Sequence, residues 1–83
     1  MPEININNLE KELRKLVAEI TEVDTEKITP EAKFVEDLGM DSMMALEIFA
    51  KLEKQYKIRI PEEELPRLSN LNQTVDLVGR FIN

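Results

Sequence analysis

The residues best suited to chemistry lie in one stretch, Asp37-Leu38-Gly39-Met40-Asp41-Ser42-Met43, where a turn signal meets a helix start and a hydroxyl stands at the junction. A helix N-terminus presents unpaired N–H groups and partial positive charge, so it tolerates a phosphate ester. Ser42 is therefore placed for modification by another enzyme. The plain alternative is that Ser42 caps the helix, since Ser is a leading N-cap residue. Little else in the chain offers reactivity. It has no His and no Cys, so it cannot build a Ser-His or Cys-His nucleophilic pair, and no side chain has an ordinary pKa near 7. Disulfides and thiolate metal sites are excluded on the same ground. A calcium loop starting at Asp24 fails at both key positions, with Thr29 where Gly is needed and Val35 where a bidentate Glu is needed.

Composition narrows the classes further. Eighty-three residues make a single domain, 1–83. The formal charge of −6 argues against a nucleic-acid binder, whose phosphate contacts need clustered Lys and Arg. A hydrophobic content of 42% suits a globular chain rather than a disordered one. No apolar run approaches the roughly 20 residues that span a bilayer, so no membrane insertion is expected and the chain reads as cytoplasmic. Few chains this small enclose a water-excluding active site, and the expectation is that this one is not an enzyme.

Positioning Ser42 requires ordered elements on either side, and apolar periodicity supplies them. Asn7 with Glu10 three residues on fits an N-cap and its reciprocal partner. Leu9, Leu13, Leu16, Val17 and Ile20 then recur on one face of an amphipathic helix. Thr21 to Asp41 keeps no period; Thr29-Pro30 disfavours helix at Thr29, and Gly39 suits a positive φ. A connection this long is usually functional or anchored, and Val23, Ile28, Phe34, Val35 and Leu38 read as its anchors. Met43 to Tyr56 is a second long helix, capped by Asp41 or Ser42. Its core face is Ala45, Ile48, Phe49, Leu52 and Tyr56, and Met43, Leu46 and Ala50 form a flanking apolar stripe.

Lys57 to Ile60 reads as an extended link. Pro61 takes the first position of a brief helix with Glu62, Glu63 and Glu64 in its first turn, and Pro66 keeps it short. Asn70 and Gln73 form another cap pair ahead of a last helix striped by Leu71, Val75, Val78 and Ile82. The expected fold is all-α, a small up-down bundle of three longer helices and one short helix, with a long anchored loop between the first two.

The stretch Asp37 to Met43, followed by Leu46-Glu47, resembles the phosphopantetheine attachment motif of acyl carrier proteins, which reads Asp-Leu-Gly, a variable residue, then Asp-Ser-Leu opening the second helix. The resemblance covers nearly the whole chain: Phe34 matches the aromatic before the motif, Ile58 to Pro61 matches the Ile-Pro ending of the link, and the element order agrees. It implies that Ser42 bears a covalent 4′-phosphopantetheine, delivered from coenzyme A by a phosphopantetheinyl transferase that uses Mg²⁺ in its own site. The arm's thiol then holds acyl groups as thioesters. Asp41 matches the acid that orients the serine or contacts the transferase's metal, and helix-terminal charge compensation is its simpler role. The resemblance also makes the second long helix the surface read by acyl-transfer and condensing enzymes, with Met43, Leu46 and Ala50 giving apolar contact and Glu47 and Glu53 meeting bases. A shuttling carrier is expected to be a monomer.

Several positions depart from that pattern. Met43 replaces Leu, a swap of similar volume. Met44 and Lys54 stand where fatty-acid carriers commonly have acids. Between Ser42 and Tyr56, Glu47 and Glu53 balance Lys51 and Lys54, whereas Met1 to Asp41 holds eleven acids against five bases. The resemblance implies delivery of acyl groups between enzymes of fatty acid, polyketide or related specialised synthesis, and these features lean toward polyketide or other specialised synthesis, with partners less basic than those of fatty acid synthesis. An aminoacyl or peptidyl carrier shares the serine and fold, but the acidity disfavours it. From a different class, an unmodified helical adaptor would use Ser42 only as a cap.

Overall fold

The computed structural model describes residues 6–82. Among them every regular element is helical, and the three long helices fall where the apolar stripes place them, except that the last ends at Phe81 and leaves Ile82 in extended backbone just beyond it. Helix α1 spans Ile6–Thr21, a one-turn helix α2 spans Phe34–Leu38, α3 spans Ser42–Tyr56 and α4 spans Leu71–Phe81. Two 3-10 turns, Thr25–Lys27 and Glu62–Arg67, fill the connections. The helix α1 packs against both α3 and α4. The shared core is aliphatic: Leu9, Leu13, Leu16 and Val17 of α1 meet Ile48, Phe49 and Leu52 of α3 and Leu71, Leu77 and Val78 of α4. Burial of such side chains contributes about 1.5–3 kcal/mol each relative to exposure, before chain entropy opposes it.

Four local expectations need correction. The helix α1 already includes Ile6, so Asn7 lies inside it rather than at its cap. The region from Thr21 to Asp41 is not wholly irregular, because α2 occupies five of its residues. Such a helix is too short for a periodic signal and stands on its ends and its packing. The Asp37 Oδ2 accepts the Lys33 N–H at 2.8 Å, Gly39 at φ 72 closes the C-terminus, and Phe34 and Leu38, one turn apart, are buried. That rotation turns Val35 outward to 64% exposure, so it is not an anchor. The fourth correction concerns the last turn: Pro61, with extended ψ 141, stands before the helix rather than in its first position, and the turn runs past Pro66 to Arg67. It does so as a 3-10 turn, which avoids the clash between a proline ring and the carbonyl four residues earlier in an α-helix. Within this turn Glu64 is half-buried, with Arg67 Nε 2.8 Å from its Oε1 as an ion pair lacking hydrogen-bond alignment.

The remaining anchors hold. Ile28 and Phe34 are buried, and Val23 packs against the edge of the core. Hydrogen bonds to its backbone fasten the same segment: the Arg14 side-chain Nε donates to Ile28 O at 2.9 Å, Phe34 N–H to Ser69 O at 2.8 Å, and Asn72 N–H to Pro30 O at 3.1 Å. In α4 the Asn70 side chain accepts the Gln73 N–H at 2.8 Å, the expected cap. Periodicity missed Thr74, which is fully buried because its hydroxyl donates to Asn70 O at 2.8 Å.

Candidate functional site

The junction between α2 and α3 is built from its two ends. On one side Gly39 adopts the left-handed conformation, and Met40 N–H reaches back to Phe34 O at 3.0 Å, closing α2 in a Schellman-type turn. A residue with a Cβ would be strained at this φ. Met40 then turns inward and is 3% exposed, so it pins the junction to the core. On the other side Asp41, with extended φ −115 and ψ −179, caps α3 by accepting Met44 N–H on Oδ1 at 2.9 Å.

This geometry resolves which residue caps the helix. Asp41 does so, and Ser42 is the first helical residue, exposed, with no hydrogen bond from its hydroxyl among the described residues. The serine oxygen therefore faces solvent beside the unpaired N–H groups of the first turn, on the positive end of α3. Neither the Ser42 hydroxyl nor the Asp41 carboxylate is sequestered from an incoming enzyme. Among the described residues no cluster of three or more carboxylates is arranged to hold a metal ion.

Beside the serine runs an open groove of about 580 Å³ whose apolar lining is Val35, Met40, Ala45, Leu65, Pro66 and Leu68. It lies between the start of α3 and the 3-10 turn Glu62–Arg67, so α2, α3 and that turn together shape the serine's surroundings. The groove leaves apolar surface open to solvent beside the serine.

The residues expected to meet partners are distributed unequally. Met43 is 74% exposed and Leu46 51%, and Glu47 and Ala50 are exposed with them on the outer face of α3. Side chains of this size standing free in water are informative when they share one face with a reactive position. Glu53 is half-buried, and its Oε2 accepts Ile60 N–H at 2.9 Å, so it also fixes the link after α3. Val35, on α2, is the exposed apolar residue near Ser42 that sequence reasoning assigned elsewhere. The Phe34–Leu38 spacing with Gly39 next was the available signal, since an inward i, i+4 pair turns the residue between them outward.

Comparison with known proteins identifies the family. Residues 11–78 match the family model described as the phosphopantetheine attachment site. A curated relative, Polyketide-8 synthase acyl carrier protein 2 of Streptomyces avermitilis, is 46% identical over 79 residues, covering 94% of this chain and 91% of its own length. The chain belongs to the phosphopantetheine-attachment family of acyl carrier proteins, and it carries acyl intermediates rather than catalysing their reactions.

Proposed function

We propose that this chain holds acyl intermediates as thioesters on a 4′-phosphopantetheine arm esterified to Ser42, and serves polyketide or related specialised synthesis in the cytoplasm as a monomer. The observation that carries the assignment of Ser42 is its freedom: Asp41 has taken the cap, and the exposed serine makes no hydrogen bond through its hydroxyl among the described residues. When bound, the arm supplies the thiol that this Cys-free chain lacks. The chain's own residues present and orient. Gly39 and Met40 fix the approach to the serine, and Asp41 offers a carboxylate oxygen beyond the one engaged by Met44. That oxygen is the supporting acid for a phosphopantetheinyl transferase and its Mg²⁺.

The leaning toward polyketide synthesis is supported by the Streptomyces relative's name and by the balanced charge of α3. Acyl-transfer and condensing enzymes meet Met43, Leu46, Glu47 and Ala50 on the outer face of α3, with Glu53 at its edge. Intact mass after incubation with a broad-specificity transferase, coenzyme A and Mg²⁺ tests the assignment. A gain of one phosphopantetheine in the wild type, and none in Ser42→Ala, is the expected result. A folded wild-type chain that gains nothing would instead support a helical adaptor.

A further inference from the structure

The outer face of α3 changes sign along its length. Near Ser42 the exposed acids are Glu36 and Asp37 on α2, Asp41 at the cap and Glu47 on α3, with Lys33 the neighbouring base, 3.6 Å from Glu36. Beyond Ala50 the exposed charges are Lys51, Lys54, Lys57 and Arg59, and none of these four forms an ion pair among the described residues. The acids close to them are Glu53, with one oxygen taken by the Ile60 N–H, and Glu62 across the groove. Compensation of the α3 C-terminal dipole accounts for Lys54 and Lys57 but not for Lys51 or Arg59.

The basic end also has an apolar floor. A groove of about 450 Å³ has Leu46, Phe49, Ala50, Ile60 and Pro61 as its apolar lining, and Glu53, Arg59 and Glu62 line it as well. Past Ala50 and Glu53 a second concavity of about 390 Å³ continues it along Ile58 and Lys54. From Ser42 to Lys54 the helix rises about 18 Å, roughly twice the physiological Debye length of about 8 Å. Each end of α3 is therefore sensed by a partner separately.

We propose that this strip docks a partner protein with a two-signed surface. Basic side chains of the partner sit against the acids around Ser42, acidic side chains sit against Lys51, Lys54 and Arg59, and an apolar side chain enters the groove beside Ala50. The proposal rests on reading α3 as the docking helix. Its consequence is directional, because opposed poles fix which way along α3 the partner lies and so bring Ser42 to one end of it. A uniformly basic docking face, the complement of a chain with net charge −6, meets four unpaired bases at the far end and is disfavoured.

Two synthetic amphipathic helices test this by amide chemical-shift mapping on the unmodified chain, one of Glu and Leu and one of Lys and Leu. The acidic peptide is expected to shift Ala50, Lys54, Ile58 and Arg59, and the basic peptide to shift Glu36, Asp37 and Glu47. Lys54→Glu with Arg59→Glu should weaken the acidic peptide roughly tenfold, with the neutral Lys54→Gln/Arg59→Gln pair in between. An acidic peptide with Ser for Leu should also bind less tightly. Shifts scattered over the surface, no effect of charge reversal in a variant with an intact amide spectrum, or equal binding without Leu would overturn the proposal. The Ser42 loading assay is separate, so a wild-type chain that takes no phosphopantetheine counts against the carrier assignment and not against the strip.

Discussion

At the scale of single residues, the division of labour between Asp41 and Ser42 explains how a helix start becomes a usable site. Both residue types cap helices well, and only one can do so at a given terminus. Here the carboxylate bonds the Met44 N–H, which leaves the hydroxyl free. The two roles of Asp41 separate by substitution. Asp41→Ala is expected to lower stability by about 1 kcal/mol through loss of the cap. Asp41→Asn keeps a capping oxygen and should stay within a few tenths of the wild type. If the carboxylate charge supports the transferase, loading of Ser42 falls in both variants, whereas a purely structural Asp41 gives normal loading in the Asn variant. Denaturant melts paired with initial loading rates make the distinction.

At the scale of elements, the serine's position depends on a helix of only five residues. An isolated helix this short is not stable in water, so α2 exists because its neighbours hold it. Phe34 is the main attachment: its side chain is fully buried, its N–H donates to Ser69 O at 2.8 Å, and its carbonyl receives the Met40 N–H at 3.0 Å. Phe34→Ala should cost about 3–5 kcal/mol, a large share of the stability of a domain this size. Native-state hydrogen exchange should then show faster opening from Gly39 to Ser42 than in α1 and α4, provided that the variant still folds at low temperature. Uniform acceleration across all helices would mean instead that α2 is not a separate opening unit.

At the scale of the whole molecule, α1 and α3 are tied at their surface by a polar contact as well as by the core. Tyr56 donates its hydroxyl to Glu12 Oε1 at 2.6 Å, and Gln55 Nε2 reaches the same oxygen at 3.3 Å. Burial first, and then the Glu12 carboxylate, hold the phenol's pKa above its ordinary value. A pKa raised on folding stabilises the folded chain fully below the unfolded value of about 10 and loses that contribution as pH climbs through the folded value. Tyr56→Phe should therefore cost about 1 kcal/mol at neutral pH, and the gap to the wild type should narrow above pH about 10. Tyr56 is the single tyrosine, so phenolate absorbance reports on it alone and should rise at higher pH in the folded chain than in urea. A constant gap at all pH values would show that packing, and not the phenol's proton, carries the effect.

Sequence alone determined a good part of this protein. The three long helices follow from aliphatic spacing, because an amphipathic stripe has one way to leave water and the spacing records it. The Asn70 cap and the left-handed Gly39 follow from local backbone chemistry that needs no distant partner. The motif around Ser42 is legible for the same reason, since its residues are contiguous. What only the tertiary structure decided lies where local signals are degenerate or absent. Asp41 and Ser42 are equivalent as caps on paper, and the backbone entering α3 chooses between them. The helix α2 carries too few residues for a period and is held by Ser69 and the core, far along the chain. The groove beside Ser42 arises where the start of α3 meets Leu65 to Ser69, and the groove beside Ala50 where α3 meets Arg59 to Glu62, and no reading of the chain in order brings those surfaces together.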